Sequence, residues 1–183
     1  MDDYRKVAID KAREIVKKYN PNILIPFPFE NILKEHEDVE VFSVDLTANG
    51  FSGFIAYDDT DGKFKIALNS RDSKERAYFT KAHELGHYFL HGEEIKNYKD
   101  GDKLITDESS VLDHPIMFRG NLSGNKIFER QANSFAAELI MPEEQVRNAW
   151  DVSGGDLSYC ARVFEVSLTA MAIRVEALGL RNG

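Results

Sequence analysis

The sequence predicts an α+β fold: a small antiparallel sheet packed against a helical core, with a C-terminal helical segment. Three observations predict it. Apolar residues recur at three- and four-residue spacing along residues 2–18, 76–91 and 127–141. Two alternating runs flank a turn at Asp61-Gly62, and short helical patterns follow Pro142. At 183 residues the chain suits one domain, 1–183, with a sizeable core. Within it, 1–70 would hold N-terminal helices and the sheet, 71–142 two central helices and their connecting loop, and 143–183 the C-terminal helices.

Taken in order, residues 2–18 form an amphipathic helix through Val7, Ala8, Ala12, Ile15 and Val16, and Pro21, Pro26 and Pro28 then break the chain. A short helix is expected at 29–36. Val39 to Leu46 alternates as a strand, and Gly53–Tyr57 with Lys63–Leu68 makes a hairpin about Asp61-Gly62. Asp72, with Glu75 three residues later, reads as a capping box for the first central helix. Phe79, Ala82, Leu85, Phe89 and Leu90 give that helix its apolar stripe, and Gly92 stands at a plausible C′ position. The second central helix must end near Met141, since Pro142 disfavours helix at the residue before it. Ala132, Ala136 and Ala137 keep it thin enough to pack tightly on the first, and Gly86 would let a neighbouring backbone come close. The polar stretch 93–126, with Gly101, Gly120 and Gly124, joins the two central helices, a length often used for a lid or substrate loop.

Charge and cysteine usage narrow the function classes. A net charge of −8 argues against broad binding to a phosphate backbone, so direct nucleic-acid binding is not expected. Cys160 is the single cysteine, expected to be a small buried residue, and excludes an intrachain disulfide. With no run long enough to span a membrane and no signal-peptide pattern at Met1-Asp2-Asp3-Tyr4, a cytoplasmic location is expected. The 156–164 and 167–175 segments superficially resemble a helix-turn-helix. A packing pair is the expected reading, because the second helix offers mainly Arg174 among apolar residues.

Chemistry concentrates in His83-Glu84-Leu85-Gly86-His87. On a helix, positions i and i+4 share a face, so both imidazoles can reach one metal ion while Glu84 sits beside it as a general base. This is the H-E-x-x-H pattern of zinc metallopeptidases. A third ligand is required. Leu90 and Glu93 stand where metzincins carry a glycine and a third histidine, which excludes that class. Glu129 is the better candidate. Asn133, one turn on, is placed to hydrogen-bond a ligating histidine. Glu138 lies nine residues beyond Glu129, on the opposite side of the helix, and cannot serve the same site. His91 extends the histidine row a turn too far to share the ion and is read as a supporting or helix-end residue. His114, Tyr88 and Tyr98 are each able to stabilise an oxyanion, and nothing in the spacing chooses among them.

The run Phe79-Thr80-Lys81-Ala82-His83-Glu84-Leu85-Gly86-His87-Tyr88-Phe89-Leu90-His91, with Glu129-Arg130-Gln131-Ala132-Asn133-Ser134-Phe135-Ala136-Ala137-Glu138-Leu139-Ile140-Met141-Pro142, resembles the ImmA/IrrE metallo-endopeptidases. Phe51–Ile55 and Ile66–Asn69 resemble the strands before that family's metal helix, and the likeness covers most of residues 20–180. The resemblance implies one Zn2+ per chain held by His83, His87 and Glu129, with Glu84 as general base. It also implies a protein substrate, a helix-turn-helix repressor in a bacterial or mobile-element switch. Two other classes compete: a regulatory module that controls a repressor or toxin partner by contact alone, with a structural or latent metal site, and a DNA-binding regulator using the C-terminal helices.

Overall fold

The computed structural model describes residues 3–47, 50–97, 105–106 and 122–180. Among these the chain forms α1 (Asp3–Tyr19), α2 (Glu30–Leu33), β1 (Val39–Val44), β2 (Gly53–Asp58), β3 (Lys63–Asn69), α3 (Lys74–Asn97), β4 (Ile105–Thr106) and α4 (Leu122–Ile140). Three further helices follow: α5 (Glu143–Val152), α6 (Leu157–Val163) and α7 (Leu168–Ala177). The fold is α+β, as the sequence predicts. No helix among the described residues is long and apolar enough to cross a membrane.

The sheet is mixed rather than wholly antiparallel, with strand order β1-β3-β2-β4. β2 and β3 form the expected hairpin, in which Gly62 takes a φ of +72° and Asp61 Oδ1 accepts the Lys63 N–H at 3.1 Å. β1 instead pairs parallel to β3, Val41 opposite Ile66. The chain leaves a gap one strand wide between β1 and β2, and β3 fills it on the way back. Alternation along β1 revealed a half-buried strand but carried no information about its direction. Val39, Ile55, Phe64, Ile66 and Leu68 turn one face of this sheet into the core.

α3 lies between that sheet face and α4, and α1 covers α4. The buried stripe of α1 is Ala8, Ala12, Ile15 and Tyr19; Val7, expected inside, is half exposed because it sits one residue off the i, i+4, i+7 row. Two expectations about the ends of α3 fail. Its cap is Ser73, whose hydroxyl accepts the Arg76 N–H at 3.2 Å, while Asp72 takes the Arg76 guanidinium. Gly92 does not end it either. The helix runs on through Asn97 because Ile95 has a place in the core.

The C-terminal helices serve packing. Asp156 caps α6 through the Ser158 and Tyr159 N–H groups, and Ser167 caps α7 through Ala170. Arg174 is buried. Its Nε donates to the Met141 carbonyl at 2.9 Å and its guanidinium pairs with Glu138, whose other oxygen accepts from Arg13 at 2.9 Å. The basic side chain that a helix-turn-helix reading would need is thus committed to the interior. Cys160 is buried, as expected.

Candidate metal centre

α3 and α4 approach closely because their contact is made of small residues. A Cβ built on Gly86 would lie 3.1 Å from the Phe135 ring and 3.2 Å from the Ala132 Cα, so any larger residue would force the helices apart. The sheet is pressed onto α3 in a similar way. At Gly53, the first residue of β2, a Cβ would fall 2.5 Å from Thr80 Cγ2 and 3.5 Å from Glu84 Oε1.

These approaches bring together His83 and His87 from α3 and Glu129 from α4. The two Nε2 atoms are 3.0 Å apart, His83 Nε2 is 3.2 Å from Glu129 Oε2, and His87 Nε2 is 3.2 Å from Glu129 Oε1. Zinc bonds of about 2.0–2.1 Å in a tetrahedron set ligand atoms about 3.3 Å apart. The observed spacings, with each imidazole facing a different Glu129 oxygen, are close to that, and the donor set of two imidazoles and a carboxylate suits a metal with an open position. Glu84 is fully buried on the same helix, beneath Gly53.

Each histidine is held from behind. His83 Nδ1 meets Asn133 Oδ1 at 3.1 Å, the contact expected from the one-turn offset of Asn133 from Glu129. His87 Nδ1 meets His91 Nδ1 at 3.1 Å, which places His91 against a ligand candidate and away from the donor triangle. Glu138 faces α1 and α7, well apart from Glu129, as the helical wheel requires.

The IrrE N-terminal-like domain profile of peptidase family M78 matches residues 34–176. The chain belongs to this family. It is 23% identical over 139 residues to Metallopeptidase ImmA of Bacillus subtilis (strain 168), an alignment covering 76% of this chain and 66% of that protein. The chain thus spans about two thirds of the length of that curated relative. The matched family is one of peptidases, and the His-His-Glu cluster of this chain could hold a metal ion.

The electrostatics of this M78 member favour the ligand forms of His87 and Glu129. Burial pushes the His87 imidazole down to about 4, against the raising effect of Glu129. Burial alone would raise the Glu129 carboxyl, but the adjoining His83 and His87 imidazoles outweigh it and hold the group down at about 2. Neutral imidazoles facing an ionised carboxylate are the forms that bind a metal.

Of the oxyanion candidates, His114 and Tyr98 lie outside the described residues. Tyr88 is turned away from this role: its hydroxyl donates to the Asp38 carboxylate at 3.0 Å and meets His36 Nδ1 at 2.9 Å. Sequence reasoning missed Gln131 and Phe128. His91 Nε2 meets Gln131 Oε1 at 3.1 Å, and the His91 ring stacks on Phe128 with centroids 4.1 Å apart. Phe128 immediately precedes Glu129 and Gln131 lies two residues after it, and the two make an i, i+3 pair of their own, which was the available signal.

Proposed function

We propose that this chain is a cytoplasmic zinc-dependent endopeptidase that cleaves a helix-turn-helix repressor and so releases the genes that repressor silences. The observation that carries the reading is the convergence of His83, His87 and Glu129, the two Nε2 atoms 3.0 Å apart and each 3.2 Å from one Glu129 oxygen, beside the buried Glu84. His83 Nε2, His87 Nε2 and a Glu129 carboxylate oxygen would hold the ion. Zinc bound there supplies Lewis-acid polarisation of the scissile carbonyl and makes water a stronger acid. Glu84 takes the proton from the attacking water and returns it to the leaving amine. Asn133 keeps the His83 ring in the orientation that presents Nε2 to the ion. Extended substrate would add as a strand to an edge of this sheet, whose β2 passes over Glu84 at Gly53. The repressor as target is supported by the likeness to the ImmA/IrrE peptidases. Residues 1–183 are read as a single domain built around this centre.

The test is metal content by elemental analysis, together with cleavage of the helix-turn-helix protein encoded beside this gene, by wild type and Glu84→Gln. The expected result is one zinc in each, cleavage by wild type and none by the variant. Cleavage at the wild-type rate by metal-loaded Glu84→Gln would remove Glu84 from the mechanism. Stable capture of the intact repressor by wild type, with no cleavage at any metal concentration, would establish a contact-only regulator.

A further inference from the structure

Gln131 Nε2 donates to the backbone carbonyl of Tyr4, in the first turn of α1, at 3.3 Å. A carbonyl only accepts, so this contact fixes which end of the Gln131 amide is nitrogen and turns Oε1 toward His91. Oε1 in turn only accepts, so His91 Nε2, 3.1 Å away, carries the hydrogen. Neutral His91 then has its lone pair on Nδ1. That atom is 3.1 Å from His87 Nδ1, which must be the donor of the pair. His87 is left with its lone pair on Nε2, the atom that faces His83 Nε2 and Glu129.

We infer that Tyr4, Gln131 and His91 form a directional hydrogen-bond relay that sets the tautomer of His87, so that α1 helps to prepare the metal centre from outside. The inference rests on reading His83, His87 and Glu129 as the metal ligands. Three features distinguish the relay from incidental packing. Every donor in it faces an acceptor, which ordinary burial does not require. Phe128 stacks on His91 with an interplanar angle of 23°, holding the ring in the plane where both its nitrogens are in use. His83 has a different device, the Asn133 amide, so the two imidazoles are oriented independently. The Tyr4 end of the relay lies outside the 34–176 stretch that the family profile matches, so the profile does not account for it. His91 and Gln131 are positioning residues, acting on the ion only through His87.

Two measurements test this. The first is the imidazole 15N–1H correlation spectrum of metal-free wild type at neutral pH. It should show His91 with its hydrogen on Nε2 and His87 with its hydrogen on Nδ1; His91 carrying its hydrogen on Nδ1 overturns the relay. The second is zinc affinity by competition with a chromophoric chelator, with the visible spectrum of the cobalt-loaded protein. His91→Phe and Gln131→Leu should each weaken binding by about 10- to 100-fold, the usual effect of losing an outer partner of a ligating histidine. Gln131→Glu keeps an acceptor toward His91 and should restore most of the affinity and the wild-type cobalt spectrum. Wild-type affinity in Gln131→Leu, or no rescue by Gln131→Glu, overturns the inference. If wild type itself binds no zinc, the ligand assignment fails, and that outcome is distinct from the other two.

Discussion

Gly86→Ala and Gly92→Ala make the same change on one helix and are expected to have opposite effects. Alanine in place of a helical glycine gains about 1 kcal/mol in intrinsic helix stability. At Gly92 the new Cβ would meet Phe64 Cζ at 3.4 Å, an ordinary contact, so Gly92→Ala should stabilise the protein by about 0.5–1 kcal/mol. At Gly86 the same atom would stand 3.1 Å from Phe135, 3.2 Å from the Ala132 Cα and 3.3 Å from the Ala132 carbonyl oxygen. Two of these neighbours are backbone, so relief requires α4 itself to retreat by a few tenths of an ångström. Overpacking of this kind costs about 1–3 kcal/mol, which outweighs the propensity gain and leaves a net loss of about 1 kcal/mol. Ala132 lies between Glu129 and Asn133, so the retreat carries both away from the histidines. Such sites must be held to within about 0.5 Å, and a retreat of a few tenths of an ångström uses up most of that margin, so metal affinity should fall by up to about tenfold. Urea unfolding of the metal-free proteins measures the first effect and chelator competition the second. If Gly86→Ala proves as stabilising as Gly92→Ala and binds zinc as wild type does, the close approach of α3 and α4 is not what sets the ligand triangle.

Other outcomes follow from the same geometry. Glu129→Ala should lose more zinc affinity than the roughly 10- to 100-fold typical of an outer partner, and wild-type zinc retention would strike it from the ligand set. Arg174→Leu leaves Glu138 buried with only Arg13 and should destabilise by about 3 kcal/mol without changing zinc affinity; an unaltered urea midpoint would show that the pair is dispensable. Metal-free protein should lose stability as pH falls below 6.5. The unfolded chain then binds a proton at His87 that the folded state, with that imidazole pushed down to about 4, refuses. The slope is about 1.4 kcal/mol per pH unit, summing to about 3 kcal/mol by pH 4. A flat urea midpoint between pH 7 and 4.5 would contradict the buried, neutral His87.

What could be read in the sequence was whatever depends on local periodicity. The i, i+4 relation placed His83 with His87 and Glu129 with Asn133, and 100° per residue put Glu138 on the far side of α4. The hairpin was legible from Asp61-Gly62, because only a narrow set of residues accepts a positive φ there. What escaped was information held between elements. The direction of β1 depends on where β3 returns, and no residue of β1 records it. Gly92 resembled a helix terminator until Ile95 was seen to have a place in the core. Gln131 gave no signal alone, since its role exists only once α1 sets the Tyr4 carbonyl against it.

The two glutamates of α4 have a consequence for how this sequence can vary. Glu129 faces the histidines and Glu138 faces Arg13 and Arg174, and the nine-residue interval between them is a rotational ruler. Inserting or deleting one residue within it would turn one glutamate by about 100° relative to the other, so the metal ligand and the interior ion pair could not both be kept. Side chains facing outward along that interval are free to change, but its length is not. Loop insertions elsewhere in the chain leave the ruler intact, whereas one extra residue in α4 sacrifices either the chemistry or the anchor that holds α4 to α1 and α7.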